Sequence, residues 1–181
     1  MLASGPLVGK LGYYNPVLIF GTILMTIGAG LISTWTVDTS AVKWISYQMI
    51  YAFGIGVAFQ PPYIAVQTVL KDSMVPRALV MLSYMQTFGG IVMLSIAQNV
   101  FLARLTMNLS QEIPGLEPSV IHDSGALGVL NSVSASERPQ VLAGYMGALR
   151  QVYYIILALC CVAAVSSLGI EWKSVKKEQK K

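Results

Sequence analysis

The chain has 181 residues, of which 55% are hydrophobic and only 11% charged, against roughly 25% charged in ordinary soluble domains; its mean hydropathy is +0.63. A water-soluble domain of this size needs far more polar surface, so a soluble globular enzyme is excluded, as is a disordered chain, which combines low hydrophobicity with high net charge. The net charge of +4 does not point to nucleic acid, because five of the twelve basic residues crowd into a tail, Lys173, Lys176, Lys177, Lys180 and Lys181, and make no binding face.

Residues 1–10 lack the basic start, apolar core and small-residue cleavage site of a secretory signal, so the first span is expected to direct insertion. Charge-free stretches then run from Leu11 to Val37, Trp44 to Leu70, Ala78 to Ala103 and Gln151 to Ile170. Each offers about 20 mainly apolar positions, enough to cross a ~30 Å hydrocarbon core as a helix. The pattern predicts an all-α polytopic membrane helix bundle with four transmembrane helices, near residues 16–35, 44–70, 78–103 and 152–170, an outer loop over 104–150 and a basic tail over 171–181. Pro16 suits a first helical turn, where its missing N–H costs nothing. Trp35, Trp44 and Trp172 stand at span edges, where interfacial aromatics collect.

Four spans put both termini on one side. The tail lysines with Lys10, Lys71 and Arg77 give that side eight basic residues against four on the other, Lys43, Arg104, Arg138 and Arg150, so the termini are expected in the cytoplasm.

No Asp, Glu, Lys, Arg or His falls mid-span, and the chain alone therefore lacks the ionisable groups on which proton relays usually depend. Glutamine, tyrosine, glycine and proline take their place. In the second span, Pro61 and Pro62 remove two backbone donors and clash with preceding carbonyls, which predicts a bend or break. Gly56, Gln60, Tyr63 and Gln67 recur at steps of four, three and four, on one face of a continuing helix. The stripe fits either a substrate pathway along a cavity or hydrogen bonding between helices, and Gln86 in the third span is open to the same two readings. Gly89 and Gly90 are expected either to let helices approach closely or to contact a ligand, and Gly21, Gly28 and Gly30 in the first span are expected to be packing positions. Gly54-Ile-Gly56 is too short for a dinucleotide fingerprint.

Cys160 and Cys161 are adjacent in an apolar run and frame no disulfide or zinc site. His122 has no second ligand type beside it beyond Asp123 and reads as a solvated loop residue. Asn108-Leu109-Ser110 is a glycosylation sequon close to the end of the third span. No catalytic constellation, metal site or cofactor motif is present in the sequence, which predicts a protein that is not an enzyme and carries no cofactor.

Gly5-Pro-Leu-Val-Gly-Lys10-Leu-Gly12-Tyr-Tyr14 resembles an eroded copy of the cytoplasmic hairpin motif of the major facilitator superfamily. Gly9 stands where that motif usually has an acid, and Tyr13 and Tyr14 where it often has basic residues. A more specific resemblance, to the fungal fourteen-span drug:proton antiporters that act as toxin and multidrug efflux pumps, extends over nearly the whole chain. It is carried by Gly21 through Leu31, the block Gly54 to Gln67 with Phe59-Gln60-Pro61-Pro62-Tyr63 at its centre, Gln86-Thr-Phe-Gly-Gly90, Ser95 through Phe101 and Gly169 through Lys176, in that order and spacing.

The resemblance implies that residues 1–170 are the carboxy-terminal four-span portion of such a transporter, a partial major facilitator fold, with residues 1 to about 10 left from the preceding helix and its loop. It implies efflux of amphipathic drugs, toxins or secondary metabolites by proton antiport, carried out with a missing amino-terminal half. The partners are then the lipid bilayer and a small-molecule substrate, with no nucleic acid. The location is a multi-pass protein of the plasma membrane or the vacuolar membrane. The other reading of the residues is a four-span structural or regulatory membrane protein that transports nothing.

Overall fold

The computed structural model describes residues 8, 9, 11–112, 133, 134 and 138–175. It is helical, and four helical stretches in it are long and apolar enough to cross a membrane. Backbone in hydrocarbon must satisfy its own N–H and C=O groups, which a charge-free apolar run of this length does only as a helix.

Helix α1 is Asn15–Ser33, with Pro16 in its first turn. Helix α2 is Ala41–Ala58 and α3 is Pro61–Val69; together they form the second span. Helix α4 is Val75–Glu112 and α5 is Arg138–Leu168. Both α4 and α5 run well past the charge-free stretches, so residues 104–112 and 138–150 of the expected loop are helical. A charged side chain ends a hydropathy window but does not interrupt an i to i−4 hydrogen-bond ladder. The extensions also bury Leu105, Leu109, Val141 and Ala148 against one another, with the Phe101 and Tyr145 rings edge-on at 5.3 Å. His122 and the prolines at 114 and 118 lie outside the described residues.

The most buried helix is α1, which packs antiparallel to both α2 and α5. Small residues set the α1–α2 distance. A Cβ on Gly28 would lie 2.6 Å from Tyr51 Cα, and one on Gly21 would lie 2.7 Å from Ala58 N. Across the other face, the Thr22 and Ser167 hydroxyls lie 3.3 Å apart and the Trp35 ring meets Tyr153 at 5.6 Å. Gly30 has only an ordinary contact, 3.8 Å to Leu157.

The start of α1 and the segment after α5 are clasped together. Asn15 is buried and donates through Nδ2 to the Ile170 carbonyl at 2.9 Å and the Glu171 carbonyl at 3.4 Å. Tyr14 donates its hydroxyl to the same Glu171 carbonyl, and Val175 N–H bonds the Gly12 carbonyl at 2.9 Å. Burial pushes the Tyr14 phenol above its ordinary pKa, with the Glu171 charge adding to the rise against a hydrogen bond at the Lys173 backbone that lowers it. The hydroxyl therefore stays a donor. These bonds take up the Ile170 and Glu171 carbonyls in the segment that follows α5, which ends at Leu168. Val8, Tyr14, Val17 and Val57 form the apolar floor of this end of the bundle, with Ile64, Ala65 and Ile170 against them.

Helix α4 stands apart from this packing. Its buried side chains, Leu105 and Leu109, meet α5 in the extension, and none of its most apolar window is buried. Gly89 and Gly90 have nothing within 4 Å of a Cβ placed on either. The expected close helix approach at these two glycines is absent from the described residues, because α4 meets α5 further along and touches α3 only lightly.

Candidate functional site

The α2–α3 junction follows from covalent chemistry. Pro61 and Pro62 have no N–H to give to the carbonyls four residues earlier, so the ladder stops after the bond from Phe59 N–H to the Ile55 carbonyl, 2.9 Å. Phe59 and Gln60 keep helical dihedrals, with φ/ψ of −68°/−41° and −78°/−39°. The chain thus kinks without unwinding. The two prolines occupy the first turn of α3, and the Gln60 carbonyl restarts the ladder by accepting from Tyr63 N–H at 3.1 Å and Ile64 N–H at 3.3 Å.

A groove of about 380 Å³ opens beside the kink, between Ala58, Phe59, Pro62 and Tyr63 on one wall and Leu82, Met85 and Gln86 on the other. Its size falls within the roughly 300–1,000 Å³ of small-molecule sites. Each wall is one helical face, because positions 59, 62, 63 and 82, 85, 86 both step by i, i+3, i+4. The Phe59 and Tyr63 rings stack at 5.8 Å and 29°, and Met85 brings a flexible, polarisable side chain that adapts to irregular ligands.

One polar link crosses the groove. Tyr63 donates its hydroxyl to Gln86 Oε1 at 2.7 Å. The bond holds the phenol and the amide in register and leaves the Gln86 Nε2 donors and the Tyr63 oxygen lone pairs for a ligand. The site can therefore hold an apolar, aromatic-bearing molecule and bond one of its carbonyl or hydroxyl groups. No Asp, Glu, Lys, Arg or His side chain lines it among the described residues.

Of the four residues singled out in the sequence, the structure brings together Tyr63 and Gln86. Gln60 is half-buried at the kink and Gln67 is exposed; neither lines the groove. Phe59, Leu82 and Met85 escape a search for polar residues, although the matching i, i+3, i+4 pattern around Tyr63 and Gln86 would have found them. Asn108 lies inside α4, not in a loop, and its Nδ2, the atom a glycan would occupy, donates to the Gly144 carbonyl at 3.0 Å. Cys160 is buried and Cys161 exposed, both as free thiols. Among the described residues no group of three His, Cys, Asp or Glu side chains could hold a metal ion.

No family model matches the chain, and no solved structure matches it significantly. Among curated proteins it is similar to an efflux pump, roqT, of Penicillium rubens, 35% identical over 97% of this chain and 33% of that protein. It is similar to the efflux pump aflT of Aspergillus parasiticus, 37% identical over 98% of this chain and 35% of that protein. The aspyridones efflux protein of Neocamarosporium betae is 40% identical over 96% of this chain and 31% of its own length. The chain spans about a third of the length of these relatives.

Proposed function

Because this chain belongs to the fungal efflux transporters of the major facilitator superfamily, we propose that it is the carboxy-terminal four-span part of a proton antiporter that exports amphipathic small molecules. The groove beside the Pro61-Pro62 kink then forms one wall of the substrate path. Transporters of this kind alternate access by rocking two halves around a site near the midplane of the bilayer. Four spans supply less than one half, so the proton-coupling groups belong to the spans this chain does not contain. The relative named for aspyridones supports fungal secondary metabolites as the cargo class, and the membrane is the plasma membrane or the vacuolar membrane, with both chain ends on the cytoplasmic side.

The observation that carries this reading is the apolar groove with a single fixed tyrosine–amide pair. An aromatic and methionine wall binds many flat or greasy compounds through contact area. One hydrogen-bonding pair then discriminates among them by which carbonyl or hydroxyl it meets.

The test joins this segment to the upstream spans of a related pump and compares Tyr63→Phe and Gln86→Leu with the parent across a panel of exported compounds. Breaking the pair should change the ranking of compounds several-fold while membrane protein abundance stays level. A hydrogen bond between membrane helices contributes only about 0.6–2 kcal/mol, so a purely structural role would lower all compounds together. Transport that declines uniformly with abundance refutes the assignment.

A further inference from the structure

A second cavity lies between α4 and α5, at the end of the bundle opposite the Asn15 clasp. It has a volume of about 210 Å³ and is lined by Arg104, Asn108, Gly147, Arg150, Gln151 and Tyr154. We propose that this cavity binds the anionic phosphate headgroup of a membrane phospholipid.

Depth is the first support. Arg104 directly follows the charge-free stretch of α4, and Arg150 directly precedes that of α5, so the two guanidinium groups stand where their helices leave the hydrocarbon. Tyr153, beside the cavity residue Tyr154, packs on Trp35, whose ring lies 6.1 Å from Trp44. Such a cluster of amphipathic rings marks the headgroup level.

Charge is the second. Among the described residues, Arg104 and Arg150 share the cavity, no carboxylate lines it, and neither arginine has an ion-pair partner. Two like charges at one cavity repel each other, and a bound anion offsets that repulsion. Guanidinium groups match phosphate oxygens in bidentate geometry, and every phospholipid headgroup, in either leaflet, carries such a phosphate.

Shape is the third. Asn108 Nδ2 is taken by the Gly144 carbonyl, which fixes one wall, while Gln151 and Tyr154 add neutral donors. Gly147 keeps the space open, since a Cβ there would come within 3.0 Å of Asn108 Nδ2. The volume equals about seven waters at ~30 Å³ each, room for a phosphate with part of its glycerol. Apolar side chains of α4 such as Leu94 lie exposed further along the same helix, where acyl chains would run.

The test uses the 181-residue chain in non-ionic detergent, titrated with phosphatidylglycerol and followed by native mass spectrometry. Phosphatidylglycerol should bind tightly at one site where uncharged diacylglycerol with the same chains does not. Charge-assisted hydrogen bonds contribute roughly 1.5–3 kcal/mol, so Arg104→Gln and Arg150→Gln should each weaken the first lipid about tenfold or more. Lys71→Gln and Arg77→Gln at the other end should leave it unchanged. Both arginines are exposed, and unaltered circular dichroism checks that the variants fold. Equal loss from the Lys71 and Arg77 variants, or binding that survives Arg104→Gln with Arg150→Gln, overturns the proposal. Displacement of the lipid by an equal concentration of inorganic phosphate would do so too, by making this a free-anion site.

Discussion

Replacing Gly28 with alanine adds one methyl group where α1 and α2 come closest. The new carbon would sit 2.6 Å from Tyr51 Cα, 2.7 Å from Tyr51 N and 2.8 Å from Tyr51 Cβ. The first two are backbone atoms and cannot rotate aside. To reach even the 3.4 Å of an ordinary contact, the helices must part by about 0.8 Å. A radial gap of 0.5–1 Å forfeits a quarter to a half of the attraction between facing atoms, and with a few dozen pairs at roughly 0.1–0.2 kcal/mol each the loss is about 1–4 kcal/mol. Alanine regains roughly 0.5–1 kcal/mol of helix propensity over glycine, leaving a net destabilisation centred on about 2 kcal/mol within a span of roughly 0–3.5 kcal/mol. Gly90→Ala is the control. With nothing within 4 Å, it should be neutral or slightly stabilising. Reversible denaturation by SDS in mixed micelles, followed through the neighbouring Trp35 and Trp44, measures both. Equal midpoints for Gly28→Ala and Gly90→Ala would refute the claim that glycine contact sets the α1–α2 distance.

Two further outcomes follow from the clasp and from the charge distribution. Asn15→Ala removes the Nδ2 bonds to the Ile170 and Glu171 carbonyls and should cost about 1–3 kcal/mol, visible as faster trypsin cleavage at Lys173; an unchanged rate means the clasp does not hold the end of α5. With both chain ends cytoplasmic, Asp38→Cys should react with a membrane-impermeant thiol reagent on intact cells and Asp72→Cys should not, and the reverse pattern inverts the topology.

Several features were legible before any folding was considered. A run without charges and long enough to cross hydrocarbon has helix as its one economical backbone state, so the spans follow from where Lys10, Lys43, Lys71, Arg77, Arg104 and Arg150 interrupt the apolar chain. The kink after Ala58 is likewise covalent, because Pro61 and Pro62 lack a donor in any context. Gly21 and Gly28 stand seven residues apart, two helical turns, and so share a face, which is why their packing role could be anticipated.

Tertiary structure decided which faces meet. Periodicity places Gln60, Tyr63 and Gln67 on one stripe, but the rotation of α3 against α4 selects Tyr63 for Gln86 and leaves Gln67 exposed. Gly54, unremarkable in a short Gly-Ile-Gly fragment, lies against the backbone of Met25, whereas the Gly89-Gly90 pair meets nothing. The lengths of α4 and α5 were also hidden, since hydropathy reports where water begins while the helix ends where its hydrogen bonds and packing end. Leu105 and Leu109 are ordinary residues of a polar stretch until Val141 and Ala148 arrive from more than thirty positions away. A sequence pattern fixes the direction in which each side chain leaves its own helix, and only the assembled bundle supplies the neighbour it finds there.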